Sequence, residues 1–160
     1  MKKYILVFLL FFSINAMAQT IPAYKIADVV KYYEKKNDGI YVINFWATFC
    51  KPCVEEIPYL ISISKKYAND NVKLLLVSLD LPAFFPDRIA TYAAKNNFDV
   101  PIVWLDETNA DVFCPAIDSA WSGSIPATLI INNKTGYRNF YEEQIKPEAF
   151  EAELKKAIGD

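Results

Sequence analysis

The stretch NFWATFCKPCVEEIP, residues 44–58, decides the fold. It joins the end of a nearly continuous apolar run, residues 40–47, to a segment of helical apolar spacing, residues 50–67, with Cys50 and Cys53 at the junction. At the first turn of a helix the unpaired N–H groups and the macrodipole favour a thiolate, so Cys50 reads as the attacking sulfur. Cys53 lies three residues on and shares its helix face at roughly 5 to 6 Å, a separation that a disulfide spans without backbone movement. Pro52 suits a first helical turn, which needs no N–H from it, and it stiffens the loop. Lys51 adds a positive charge beside Cys50, favouring its thiolate and a slightly more oxidising pair.

Working outward, a second apolar run at residues 72–79 pairs with the first to give a parallel strand–helix–strand unit, both strands being covered on two faces. Residues 23–36 carry Ile26, Val29, Val30 and Tyr33 at helical spacing, and Asn37-Asp38-Gly39 closes that helix with a turn signal. Further helices are expected over 87–96 and 147–158, and strands over 101–105, 127–131 and 137–141. The last two strands flank a hairpin turn at residues 132–136. Residues 107–113 read as a helical turn or two limited by Pro115. The sheet is therefore mixed, parallel early and antiparallel late, and the fold class is α/β.

The chain of 160 residues, 53% hydrophobic and 15% aromatic, suits one domain with a single core. Its first stretch has Lys2 and Lys3, an apolar run over residues 4–12 and Ala16-Met17-Ala18 as a small-x-small cleavage site, which reads as a signal peptide over residues 1–18. That run is too short for a permanent anchor, which needs roughly 20 apolar residues. Residues 19–160 then form a single exported domain in a compartment where disulfides persist. Without the two leader lysines, 15 basic residues face 19 acidic ones, a net charge of −4 that disfavours nucleic acid as a partner. The absence of histidine excludes Cys/His nucleophile pairs, Ser/His/Asp triads and His-ligated metal. A zinc site from three cysteines would need a carboxylate to complete four ligands, so no metal is expected; a static structural disulfide is the other bland use of the Cys50/Cys53 pair. Cys114 reads as a buried, small apolar residue.

The segment resembles the active site of the thioredoxin superfamily, and most of all its exported TlpA/ResA-like branch. The resemblance extends over nearly all of the mature chain. Pro58 matches the proline that kinks the active-site helix, the stretch between Leu81 and Thr108 resembles the branch's helix-and-strand insertion, and Ile125-Pro126 matches the cis-proline loop. The resemblance implies a thioredoxin fold, a central mixed sheet flanked by helices with that insertion before the loop. It also implies a client groove in which Ile125 offers backbone hydrogen bonds and Pro126 faces the cysteines. Trp46, Phe49, Lys51 and Pro52 complete the expected client surface, although Trp46, like Trp121, also suits core or rim packing. Phe49 stands where the branch usually has tryptophan, and Asn44 where cytoplasmic thioredoxins have a buried aspartate. Asn44 also suits a structural role, satisfying a backbone group inside the sheet. Since Asn44 cannot ionise, Glu56 is the candidate proton-exchanging carboxylate. It lies three residues after Cys53 on the same face, whereas Glu55 points about 100° away. A solvated helix glutamate is the plainer alternative for Glu56. Peroxidase chemistry is disfavoured, because peroxiredoxins resemble one another through a threonine three residues before the reactive cysteine and Thr48 is two before Cys50.

These residues lead to a thiol:disulfide oxidoreductase with Cys50, Cys53 and Glu56 as its catalytic set. It needs no cofactor beyond the Cys50–Cys53 disulfide. Its expected partners are protein disulfide or thiol clients, apocytochrome c among them, and a membrane thiol donor. A disulfide-forming oxidase and a non-catalytic binding module are the competing readings.

Overall fold

A computed structural model of the chain describes residues 20–35 and 39–159. The expected signal peptide, residues 1–18, lies outside the described residues, as does most of the turn expected at 37–39. The elements run β1 (Ala23–Tyr24), α1 (Ile26–Tyr33), β2 (Ile40–Trp46), α2 (Lys51–Lys66), β3 (Val72–Ser78), α3 (Asp87–Lys95), β4 (Ile102–Leu105), α4 (Ala110–Ile117), β5 (Ala127–Asn132), β6 (Tyr137–Tyr141) and α5 (Pro147–Ile158). They build one six-stranded sheet in the order β1-β4-β3-β2-β5-β6. The first four strands are parallel, while β5 and β6 run antiparallel to their neighbours.

Strand alternation sorts the apolar residues into two layers. Val42 and Trp46 of β2, Leu74 and Leu76 of β3 and Ile130 of β5 pack with α2, α3 and α5 through Ile57, Leu60, Ile89, Phe150 and Leu154. On the opposite face Ile43 and Phe45, Leu75 and Val77, and Leu129 pack with α1 and α4 through Val29, Tyr33, Phe113 and Ile117. All seven residues of β2 are buried, which explains why a nearly continuous apolar run, interrupted only by Asn44 and without polar alternation, marks it in the sequence. The chain is thus a mixed α/β sandwich of thioredoxin type.

Helices α1 and α4 differ from the sequence reading at both ends: α1 ends at Tyr33, short of the expected 36, and α4 begins at Ala110, after the expected 107. The helix expected from residue 23 begins at Ile26, because Ala23 and Tyr24 instead pair with Trp104 and Leu105 on the outer edge of β4. The edge N–H groups of Trp104 and Asp106 donate to the carbonyls of Pro22 and Tyr24 at 2.9 and 2.8 Å, which satisfies both. Helix α4 does not stop before Pro115 but carries it inside and runs to Ile117. An interior proline costs about 3 kcal/mol through its missing N–H and its clash with the preceding turn, whereas burying Phe113 and Ile117 contributes about 1.5–3 kcal/mol each. Packing wins.

The last elements follow their punctuation. In the turn after β5, Asn132 Oδ1 accepts from the N–H groups of Lys134 and Thr135, and Gly136 takes a φ of +75° that few other residues tolerate. Pro147 opens α5, and Gly159 closes it with a φ of +101°.

Candidate active site

The carboxyl end of β2 sits mid-sheet, between β3 and β5, and there the chain turns from Trp46 into α2. Cys50 is the N-cap residue of α2, and the Cys53 N–H points at its Sγ from 3.4 Å. The two sulfurs form a disulfide with a Cα–Cα distance of 5.3 Å. Their surroundings differ. Cys50 is half-buried at the surface, while Cys53 is wholly buried against α2 and the core. An incoming thiol or disulfide therefore meets Cys50 first. The carbonyl oxygen of Ile125 lies 3.8 Å from Cys50 Sγ, and the Ile125–Pro126 peptide bond is cis.

Beneath the pair lies a buried polar cluster. Glu56 has no exposed surface. Its Oε1 accepts from Asn44 Nδ2 at 2.7 Å, and its Oε2 accepts from the Ile145 N–H at 3.1 Å. Burial raises the Glu56 carboxyl from its ordinary range to about 7, against the pull of those two hydrogen bonds. Glu56 is thus not a solvated helix glutamate, and Glu55 on the next face is exposed. Nor does Asn44 satisfy a backbone group: its Nδ2 also donates to Thr128 Oγ1 at 2.9 Å, across the β2–β5 pair. A carboxyl that titrates near neutrality, one helical turn from a buried thiol, can take up and return a proton.

The expected client surface needs correction at Trp46, which has no exposed area and packs edge-on to Phe98 at 5.6 Å, with Tyr92 at 6.1 Å. It fills the space under the inserted helix α3 and cannot touch a client. Pro126 is buried too, leaving Ile125, half-buried, as the member of that pair nearer the surface. Phe49 is 59% exposed, and Lys51 and Pro52 lie exposed on the first turn of α2. The Lys51 ammonium faces Glu55 at 3.8 Å, one turn along, so its positive charge is shared and its influence on Cys50 is smaller than sequence position suggests.

A second polar group, centred on Asp80, was not legible as part of the site. The Asp80 carboxylate, 3% exposed, accepts from the Thr48 N–H at 3.0 Å, from Thr48 Oγ1 at 2.6 Å and from Ser78 Oγ at 2.8 Å. Its backbone carbonyl accepts from Trp104 Nε1 at 2.7 Å. The turn that delivers Cys50 is thereby tied to the ends of β3 and β4. The signal was available: an aspartate ending the buried run VKLLLVSLD needs partners. Replacing Asp80 by alanine strands the Thr48 N–H and two hydroxyls, and is expected to lower stability by about 3 kcal/mol in denaturant unfolding. A loss under about 0.5 kcal/mol would mean that the network carries no load.

Cys114 is free, buried and on the opposite face of the sheet from Glu56. Burial pushes its thiol pKa up, with the charges of Glu142 and Asp111 adding to the shift, so it is a poor nucleophile. Cys114→Ala is expected to keep disulfide-exchange activity within about twofold. A tenfold loss in the folded variant would place Cys114 in the reaction. Among the described residues no group of three or more cysteine or acidic side chains is placed to hold a metal ion.

A sheet of this topology with a helix-capping, half-exposed cysteine bonded to a buried one defines a thiol:disulfide oxidoreductase of the thioredoxin superfamily. Within that class the chain belongs to the AhpC/TSA family, whose model matches residues 17–136. It is 24% identical over 144 residues to a protein from Geobacillus kaustophilus called thiol-disulfide oxidoreductase ResA, covering 88% of this chain and 77% of that protein. A protein of the same name from Geobacillus thermodenitrificans is 26% identical over 121 residues, covering 73% of this chain and 64% of the relative. Among solved structures, a thioredoxin-related protein from Neisseria meningitidis serogroup B shares the fold with a TM-score of 0.63 at 23% identity, over 79% of this chain and 87% of that one.

Proposed function

We propose that the protein is an extracytoplasmic reductant of protein disulfides, exported by the leader at residues 1–18 and working as a single domain over 19–160. The observation that carries this reading is the asymmetry of the pair, one sulfur reachable at a helix N-terminus and the other buried one turn above a carboxyl that titrates near neutrality. In the reduced protein the Cys50 thiolate attacks a client disulfide, forming a mixed disulfide and releasing one client sulfur, which takes up a proton. Cys53 passes its proton to Glu56 and attacks Cys50 Sγ. The mixed disulfide breaks, the second client sulfur leaves as a thiol, and the Cys50–Cys53 disulfide forms. Two electrons have moved from the protein to the client. A membrane-borne dithiol returns them, and no separate cofactor takes part.

Phe49, Ile125 and the exposed face of Pro52 supply an apolar rim around Cys50 for an extended client segment, and Ile125 supplies backbone hydrogen-bonding groups. Support for export comes from the leader pattern. The family resemblance supports exported thiol proteins, apocytochrome c among them, as clients. Equilibration with glutathione tests the direction of flux. A reductant has a reduction potential well below about −200 mV, whereas a value near about −120 mV marks a disulfide-forming oxidase and overturns the proposal.

A further inference from the structure

The loop that reaches Cys50 from the far side of the site is held by a carboxylate outside the redox machinery. Glu142 follows β6, and its carboxylate meets the loop of residues 122–124 just before Ile125 and Pro126. The Ser122 N–H donates to both carboxylate oxygens, at 2.9 and 3.1 Å, and the Ser124 N–H donates to Oε1 at 2.9 Å. Ser122 Oγ donates to the same oxygen and lies 3.2 Å from Ser124 Oγ. Gly123 between them has a φ of +99°, the left-handed conformation that turns flanking N–H groups toward one anion. The next contact pins the other side of the same residue: the Ser124 carbonyl accepts from Trp121 Nε1 at 2.8 Å. Trp121 is itself fixed, 5% exposed among Phe45, Phe113 and Phe140.

We infer that Glu142 is a positioning residue for client binding: by holding Ser122 and Ser124 it sets Ile125 and Pro126 against Cys50. It touches neither sulfur, so its removal loosens the platform a client lies on and leaves the chemistry of the thiol alone. This rests on the reading of Ile125 and Pro126 as the client loop. A carboxylate suits the task because it is an acceptor only, and four donor contacts reach it from two residues. No apolar side chain at 142 can replace it.

The test compares wild type with Glu142→Ala, Glu142→Gln and, as a control, Glu143→Ala at the exposed neighbour. Each is assayed for reduction of insulin, for alkylation of reduced Cys50 by iodoacetamide, and for amide hydrogen exchange at Ser122 and Ser124. Glu142→Ala is expected to raise the KM for insulin about tenfold with kcat within about twofold and alkylation unchanged, the pattern of a misplaced binding surface. Glu142→Gln, which retains one acceptor oxygen, falls between Glu142→Ala and wild type, and Glu143→Ala matches wild type. Should Glu142→Ala fail to fold, the glutamine variant gives the same comparison. An unchanged KM, or alkylation that slows in step with turnover, overturns the inference. If wild type turns over no insulin, the client-reductant reading fails instead. The clamp is then judged by exchange alone: equal Ser124 exchange in wild type and Glu142→Gln or Glu142→Ala overturns it.

Discussion

Replacing Cys50 by serine is expected to abolish disulfide exchange, while replacing Cys53 leaves a nucleophile that captures clients and cannot release them. The difference follows from exposure: Cys50 is half-buried at the helix start, and Cys53 is fully buried behind it. With serine at 50, the remaining thiol at 53 has no route to a client sulfur. With serine at 53, the mixed disulfide on Cys50 has no neighbour to resolve it, and it accumulates. Non-reducing electrophoresis and intact-mass measurement of each variant after incubation with a disulfide client distinguish the two, with adducts expected only for Cys53→Ser. Adducts on Cys50→Ser, or faster iodoacetamide labelling of Cys53 than of Cys50 in the reduced wild type, would reverse the roles.

The second large effect belongs to Glu56. Its carboxyl is raised to about 7 by burial, so it is protonated in the folded protein below that pH and charged above it. The raised value leaves stability intact below the unfolded pKa of 4.5, and stability is lost as pH rises toward and through about 7. The full cost of the buried charge is about 3 kcal/mol. Glu56→Gln has no such titration, so its stability should stay flat where that of wild type declines, between about pH 4.5 and 7. In the reaction the same substitution removes the group that receives the Cys53 proton and lifts a nearby negative charge from two thiols. The thiols should then ionise at lower pH, and resolution near neutrality should slow by about tenfold to a hundredfold, with Glu55→Gln close to wild type. Thiol titrations of wild type and Glu56→Gln that superimpose would return Glu56 to a structural part in the Asn44 and Ile145 contacts.

What could be read from the sequence follows the range of the forces involved. Strands β2, β3 and β5, helix α2 between the first two, and α5 with Pro147 and Gly159 at its ends are written in local pattern and punctuation, and each lies within a residue of its expected limits. Helical spacing puts Cys53 and Glu56 on one face of α2, but that this face is buried, and Glu56 not a solvated helix glutamate, follows only from the Asn44 and Ile145 contacts made from elsewhere in the chain. Strand β1 does not, since two residues become a strand only because β4 leaves an edge open some 80 residues later. For Trp46 the sequence left both a client surface and core packing open, and the fold decides for the core. Trp46 is sealed off by Tyr92 and Phe98, which arrive with the inserted helix. Asp80 and Glu142 act on partners 32 and about 20 residues away, and nothing in the local pattern of either announces which backbone N–H it will meet.

The function turns most directly on whether the Cys50–Cys53 pair cycles against a protein disulfide. Reduction of insulin by dithiothreitol, followed by turbidity with and without a catalytic amount of the wild-type protein, measures this. Marked acceleration of precipitation and multiple turnovers per molecule are expected. A rate equal to that of dithiothreitol alone, with the protein folded and its disulfide reducible, would contradict that function.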